Sequence, residues 1–185
     1  MSERKKFLII GNMNAVTYRE VFPYIKDNEL WLGTQYVKEF VDDYGNVKAF
    51  GNVLWYTNLM HKKRNVPLDL YKHYNEAEYP KYYNCNGINV DKVSDIPMDY
   101  DGIMGVPLTL LDKYCPSQFE IVGCADADIL PDGWVGMNKE FVDLYYAQGN
   151  TGQYKEGNRL ACYLTKDGKA KVPYKRILIR HILNN

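Results

Sequence analysis

The chain begins with a short, uninterrupted apolar run. Phe7-Leu8-Ile9-Ile10 places four large apolar side chains in succession and ends at Gly11-Asn12. A run without polar alternation is typical of a strand covered on both faces, as in a mostly parallel α/β sheet. We expect no strand, helix or targeting segment before it, because the first six residues are mostly charged and the apolar stretch is too short for a signal peptide.

The loop after this run is a candidate pocket edge. In open α/β sheets, ligands bind at the carboxyl ends of the strands. Gly11, Asn12 and Asn14 follow the run directly. These three are therefore the predicted pocket-edge residues.

Local patterns predict the other elements. Thr17 and Glu20 have the spacing of a capping box and predict a helix after them. Asn138 and Gly149 predict the start and the stop of a second helix. The remaining predicted elements are strands at 30–33, 47–59, 87–90 and 119–123, a short helix at 108–114, an irregular loop at 75–86, and a C-terminal β-hairpin of 160–164 with 169–181.

The composition is that of an ordinary folded chain. Of 185 residues, 46% are hydrophobic and 25% are charged, which predicts a single unit over residues 1–185. Lys plus Arg and Asp plus Glu both number 23, so a nucleic-acid partner requires local basic patches. No apolar run approaches the ~20 residues of a membrane span, which predicts a cytoplasmic protein with no membrane partner.

The sequence carries no familiar catalytic motif. It has no GxGxxG or P-loop for phosphates, no GxSxG elbow and no HExxH zinc motif. The 4 cysteines and 3 histidines are scattered, which argues against zinc and favours reduced thiols. Asp126 and Asp128 are kept as a minor candidate for a cation contact. We therefore assign no catalytic residue and no metal ligand.

Aromatic and cationic residues adjoin one another in the middle of the chain. Trp55, Tyr56 and Asn58 precede the densest cationic cluster, His61-Lys62-Lys63-Arg64. Cations neutralise phosphates and aromatic rings stack on exposed bases, so the pair of features hints at nucleic acid. A packed strand followed by a solvated surface run is the alternative interpretation.

Several strings in order resemble the adenine-specific DNA methyltransferases of the EcoRI modification type. The resemblance covers nearly the whole chain and is least clear from residue 126 to residue 157. The matching strings include Phe7-Leu8-Ile9-Ile10-Gly11-Asn12-Met13-Asn14-Ala15, Trp31-Leu32-Gly33, Trp55-Tyr56-Thr57-Asn58-Leu59, His61-Lys62-Lys63-Arg64, Glu78-Tyr79-Pro80-Lys81-Tyr82, Ile96-Pro97-Met98-Asp99-Tyr100, Gln118-Phe119-Glu120-Ile121-Val122-Gly123 and Arg176-Ile177-Leu178-Ile179-Arg180.

The resemblance implies methyl transfer from S-adenosylmethionine to the N6 atom of an adenine in double-stranded DNA, after the base leaves the stack. The implied fold class is α/β, a partial Rossmann-like methyltransferase sheet with an appended β-rich target-recognition region. The family places its cofactor-binding and Asn-Pro-Pro-Phe segments upstream of the strand that begins at Lys6, and this chain has no Pro-Pro pair. The chain therefore looks like the C-terminal half, and we expect it to be inactive alone and not to bind S-adenosylmethionine by itself.

The resemblance suggests roles for particular residues, as hypotheses. Gly11, Asn12 and Asn14 would lie near the pocket mouth, and Trp55, Tyr56 and Asn58 would face the target base. The candidates for phosphate contacts are His61, Lys62, Lys63, Arg64, Arg176 and Arg180.

Three hypotheses follow for the whole molecule. The chain is the C-terminal part of a methyltransferase, a non-catalytic DNA-binding module, or one subunit of a split methyltransferase whose N-terminal half is a separate polypeptide. An open sheet edge where strands are missing would also permit self-association.

Overall fold

The computed structural model describes residues 5–182, except for the side chain of Tyr36. The expectation that no strand, helix or targeting segment precedes the first strand concerns residues 1–4 in part, and these lie outside the described range. The fold is mixed α/β with few helices. The helices are α1 (Phe22–Lys26) and α2 (Lys139–Ala147), with 3-10 turns at Met13–Thr17, Val93–Asp95, Leu108–Asp112 and Ala125–Ala127. The strands are β1 (Leu8–Asn12), β2 (Trp31–Val41), β3 (Val47–Thr57), β4 (Gly87–Asn89), β5 (Ile103–Pro107), β6 (Phe119–Cys124), β7 (Tyr163–Leu164), β8 (Ala170–Lys171) and β9 (Arg176–His181).

The N-terminal sheet has the order β1-β3-β2, and both pairings are antiparallel. The prediction of a first strand covered on both faces is wrong for the described residues. β1 lies at the sheet edge and pairs with β3 alone, and Leu8, Ile9 and Ile10 are 55%, 55% and 42% exposed. An apolar strand is buried only where other elements pack around it. Within residues 5–182, β3 is the strand beside β1, and the other edge of β1 has no neighbouring strand.

The second sheet has the order β4-β5-β9-β6, and only β4 and β5 run parallel. β9 lies at its centre, where Ile177, Leu178 and Ile179 are fully buried. The predicted C-terminal hairpin is therefore wrong in extent. Only β7 and β8 form it, around the turn at Gly168 (φ 74°), while Pro173 separates them from β9.

Local signals located one helix well and misplaced the other. Asn138 begins α2, and its Oδ1 accepts the Phe141 N–H at 2.8 Å, as predicted. The Thr17–Glu20 capping box does not form, because Thr17 belongs to a 3-10 turn and α1 begins only at Phe22. Pro23 fits there because a helix's first turn has no N–H bond to lose.

One hydrophobic core joins the two sheets. It combines Leu32 and Leu54 of the first sheet with Met104, Phe119 and Ile179 of the second. The two sheets are thereby held together by burial. Within residues 5–182 no helix is long and apolar enough to cross a bilayer. The Rossmann-like assignment and the single-unit assignment stay predictions.

Candidate nucleic-acid interface

The loop after β1 is fixed by its own side chains. Asn12 Oδ1 accepts the Asn14 N–H at 2.8 Å and caps the 3-10 turn that follows. Thr17 Oγ1 donates to Asn14 O at 2.9 Å. Gly11 needs to be small, because a Cβ there would lie 2.9 Å from Cε2 of Tyr56. The three predicted pocket-edge residues therefore form one rigid corner of the sheet.

A segment from the far end of the chain binds this corner. The Tyr174 hydroxyl donates to Asn14 Oδ1 at 2.7 Å, and Lys175 Nζ donates to Thr17 Oγ1 at 2.6 Å. We call residues 172–175, which link β8 to β9, the strap. These two bonds attach the strap to the carboxyl end of β1.

A polar pocket of about 340 Å³ lies beneath the strap. Asp126 of the 3-10 turn after β6 lines it together with Tyr154, Tyr174 and Lys175. Burial raises the pKa of Asp126, and the positive charges of Lys175 and Arg176 oppose that rise. The pocket therefore presents one carboxylate among aromatic and cationic side chains, and it adjoins the predicted pocket edge.

Arg176 makes its contacts within the chain. Its side chain is only 10% exposed. Nε donates to Asn89 Oδ1 at 3.0 Å, and Nη1 donates to Tyr174 O at 2.6 Å. Because these acceptors fix the guanidinium, Arg176 holds the strap on β4, and its assignment to a DNA phosphate stays a prediction that would require these bonds to be replaced.

The three predicted target-base residues do not face a common point. Trp55 and Tyr56 are adjacent on β3 and point to opposite faces of the sheet. Tyr56 is buried against the core, its hydroxyl donates to Asn12 O at 2.8 Å, and burial raises its pKa to about 12. The Asn58 amide accepts from Phe7 N and donates to Lys5 O, both at 3.0 Å. Tyr56 and Asn58 thus make structural contacts within the chain, and their assignment with Trp55 to the target base stays a prediction.

The cationic cluster divides into exposed and buried members. Lys62 and Lys63 are exposed on a turn. Arg64 is 5% exposed, and its guanidinium lies 4.9 Å from the Trp31 ring centroid and 5.2 Å from that of Tyr114. Burial lowers its pKa to about 10. Arg64 therefore packs between two rings and cannot reach a phosphate from this position.

Polar atoms of His61 and Asp112 are also buried. Both ring nitrogens of His61 are buried without a hydrogen-bond partner in the described chain, and burial lowers the His61 pKa. Asp112 Oδ1 is likewise buried without a partner, and burial raises the Asp112 pKa. The phosphate assignments of His61 and Arg64 therefore stay predictions, as for Arg176. Lys62, Lys63 and Arg180 remain candidates, with Arg180 Nε paired to Glu120 Oε2 at 2.6 Å.

The structure separates the two predicted sites. In the β1–β3 register Asn12 pairs with Val53, and Leu8 pairs with Thr57. The Thr57 end lies about 13 Å along the sheet from the corner at Asn12, and the Lys62–Lys63 turn follows that end in the sequence. Pocket edge and cationic turn are therefore two separate contact regions.

An apolar groove of about 840 Å³ lies beside β1. Phe7, Ile9, Tyr24 and Leu30 are among its lining side chains, and Gly11 lies at one end. The groove includes the exposed side chain of Ile9 on β1. Ile9 therefore belongs both to the groove and to the exposed edge of β1.

Comparison with known proteins identifies the family. The family described as adenine-specific methyltransferase EcoRI matches residues 1–182. The chain belongs to this family.

Curated relatives in this family are Type II methyltransferases. The chain is 44% identical over 138 residues to Type II methyltransferase M.EcoRI of Escherichia coli, covering 64% of this chain and 42% of that protein. It is 38% identical over 146 residues to M.MgeORF184P of Mycoplasma genitalium, covering 67% of this chain and 46% of that protein. It is 33% identical over 141 residues to M.MpnI of Mycoplasma pneumoniae, covering 65% and 44%. The chain thus spans less than half the length of these relatives. No solved structure matches.

The family match confirms the resemblance to adenine-specific methyltransferases of the EcoRI type. The pocket beneath the strap was not predicted from the sequence. Asn14 and Tyr174 are 160 positions apart in sequence, so no local pattern connects them. Lys175 had only its charge as a signal, and Asp126 was considered solely for a cation. Within residues 5–182 no group of three or more His, Cys, Asp or Glu residues is placed to hold a metal ion.

Proposed function

We propose that the chain is the DNA-facing C-terminal part of a site-specific DNA (adenine-N6) methyltransferase that uses S-adenosylmethionine in a restriction-modification system. The cofactor-binding and Asn-Pro-Pro-Phe segments belong to the remaining part of the enzyme. The chain alone is inactive in this proposal, and methyl transfer requires that part to dock on it.

The observation that carries the proposal is the exposed apolar edge of β1. Leu8, Ile9 and Ile10 are each more than two-fifths exposed, although isolated edge strands are normally blunted by charge or proline. The free edge lies beside the apolar groove, and surfaces of this kind mark interaction sites. Because the chain spans less than half of its relatives, the remaining part of the enzyme is the partner that fits.

The paired edge of β1 is already complete, which leaves one side for docking. β3 pairs with Leu8 through Asn12, and the Asn58 amide continues the ladder to Phe7 and Lys5. A strand added at the free edge would pair with the β1 backbone and place its own side chains beside Ile9 on one face and Ile10 on the other. Self-association through the same edge is the competing use of this surface.

The test is complementation. The purified chain is mixed with the N-terminal part of the E. coli relative, and methyl incorporation from labelled S-adenosylmethionine into mixed-sequence DNA is measured. We expect no incorporation by the chain alone and restored incorporation by the mixture. Incorporation by the chain alone would overturn the proposal, and DNA binding without any restoration would favour the non-catalytic module.

Charge substitution locates the docking surface. Ile9→Lys should abolish complementation, because it buries an ammonium in the interface. Val135→Lys is the matched control, since Val135 is 54% exposed against 55% for Ile9. Equal activity of the two variants would exclude β1 as the docking edge. Sedimentation of the chain alone reports self-association through the same edge.

DNA contact is tested separately through salt dependence. Lys62→Ala combined with Lys63→Ala should reduce the slope of log Kd against log salt by about 1.8 if both contact phosphates. Lys92→Ala with Lys155→Ala, two exposed lysines elsewhere, is the control and should leave the slope unchanged. An unchanged slope in the first variant removes the turn from the interface.

A further inference from the structure

The pocket beneath the strap has the size of a small-ligand site. Its volume of about 340 Å³ is at the lower end of the range for such sites. It is half polar in character, with Asp126 at the 3-10 turn after β6 and Lys175 in the strap. Its position next to Asn14 places it beside the carboxyl end of β1.

The Asp126 carboxylate accepts hydrogen bonds from the backbone N–H groups of Asp126 and Arg176, and its two oxygens have further acceptor capacity that the cations beside it do not use. Lys175 Nζ is directed to Thr17 Oγ1, and the Arg176 guanidinium is directed to Asn89 and Tyr174. Burial raises the pKa of Asp126, whereas the charges of both cations favour its ionised form. An ionised carboxylate accepts hydrogen bonds and donates none, so its best partner offers two adjacent N–H groups.

The other walls suit a planar, polar ring. Tyr154 and Tyr174 line the pocket, and aromatic side chains stack on nucleobases of any type. The Lys175 ammonium has three N–H donors, one of which is directed to Thr17. It can therefore also donate to a carbonyl oxygen held beside the carboxylate.

We propose that this pocket binds the Watson–Crick edge of a guanine, with Asp126 accepting from N1–H and from the N2 amino group and Lys175 donating to O6. Guanine alone among the DNA bases presents two adjacent donors on that edge, next to a carbonyl acceptor. Adenine, cytosine and thymine each place an acceptor where the carboxylate needs a donor. The guanine must be unpaired, because base pairing in a duplex covers this edge.

The ligand source is either an extrahelical guanine in DNA or a free guanine nucleotide, and two sets of probes distinguish them. The DNA arm rests on the function proposed above, whereas the nucleotide arm does not. For the nucleotide arm, saturation-transfer NMR compares dGMP with dAMP, dCMP, dTMP and dIMP on the full chain. Hypoxanthine keeps N1–H and O6 and lacks only the N2 amino group, so dIMP isolates one bond to Asp126.

We expect dGMP to bind best and dIMP to bind on the order of ten-fold more weakly, as for the loss of a bidentate contact. Asp126→Asn should reverse the preference, because its amide can accept from N1–H and donate to the O2 carbonyl of xanthine. The variant should therefore bind the xanthine nucleotide better than dGMP. Asp128→Asn, two residues away and ion-paired to Arg159 on the surface, should behave like the unaltered chain.

For the DNA arm, fluorescence anisotropy compares hairpins with a single bulged guanine, inosine or adenine. Tighter binding of the guanine bulge, abolished in Asp126→Asn, identifies DNA as the source. A dGMP preference without bulge preference identifies free nucleotide. Equal binding of dGMP, dIMP and dAMP, or a dGMP preference that survives in Asp126→Asn, overturns the inference. If the chain binds DNA equally well with and without the guanine bulge and does not bind dGMP, the guanine pocket is rejected. The proposed methyltransferase function is then unaffected.

Discussion

Gly105→Ala is expected to strain the second sheet where it supports the strap. Gly105 is a buried residue of β5, and a Cβ there would lie 1.9 Å from the Tyr82 hydroxyl and 2.7 Å from Cζ. The Tyr82 ring is itself buried, and its hydroxyl donates to Asn89 Oδ1 at 3.0 Å. Asn89 Oδ1 also accepts from Arg176, so moving Tyr82 disturbs the acceptor that holds the strap.

The magnitude combines two costs and one gain. Overpacking a core costs typically 1–3 kcal/mol, and losing the buried Tyr82–Asn89 hydrogen bond costs about 1 kcal/mol. Replacing glycine in a strand recovers about 0.5–1 kcal/mol of backbone entropy. The net loss in the free energy of unfolding is therefore about 2 kcal/mol, within a range of about 1–3.5 kcal/mol. In urea, followed by tryptophan fluorescence, this corresponds to a midpoint lowered by about 1 M.

Two further variants make this prediction refutable. Gly51→Ala lies on exposed β3 with nothing within 4 Å of the new Cβ, so its stability should stay within about 1 kcal/mol of the original. Tyr82→Phe removes the closest atom, so the double variant should lose at least ~0.5 kcal/mol less than the sum of the singles. A Gly105→Ala midpoint equal to that of the unaltered chain, or strict additivity, would refute the steric argument.

Three other substitutions test separate parts of the structure. Arg64→Lys and Arg64→Ala should lower the free energy of unfolding by nearly the same amount, about 2 kcal/mol, as measured from the urea midpoint. The reason is that an ammonium cannot stack flat between Trp31 and Tyr114. Full stability of Arg64→Lys would contradict this. Burial raises the pKa of Asp112 above its unfolded value, so its protonated form is favoured in the folded chain and stability falls as pH rises from about 4 toward neutrality. Asp112→Asn should therefore stabilise the chain more at pH 7 than at pH 4, and unfolding curves at both pH values check the sign. Asn138→Ala should lower thermal stability by about 1 kcal/mol through loss of the α2 cap, with Asn138→Asp close to neutral in a calorimetric scan.

Elements with strong local signals were predictable from sequence. β3, β4 and β6 lie within one or two residues of the predicted strands, and α2 begins at its predicted cap. Each has a complete signal within its own residues, namely periodicity, β-branched side chains or a capping amide. The length of β2 was missed, because polar residues such as Lys38 and Glu39 on an exposed hairpin carry no apolar pattern.

Elements that depend on neighbours were not predictable in the same way. The run from Phe7 to Ile10 has the composition of a buried strand, yet β1 is exposed in the described chain. Composition records the environment for which a strand is suited, and under the proposed function a docking partner would supply that environment at the free edge. The apparent error is therefore an argument for a docking partner, and the Ile9→Lys variant is its direct test.

The candidate site shows the same division between composition and geometry. Lys62, Lys63 and Arg64 are adjacent cations, and burial alone separates the two exposed lysines from the stacked arginine. Conversely, Lys175 and Thr17 are 158 positions apart, and one 2.6 Å hydrogen bond brings them together. The Lys175 ammonium donates to the Thr17 hydroxyl. In the proposed complex it would also donate to a ligand carbonyl beside Asp126. Ligand binding beneath the strap would therefore act on the Lys175–Thr17 bond, and through it on the corner at the carboxyl end of β1.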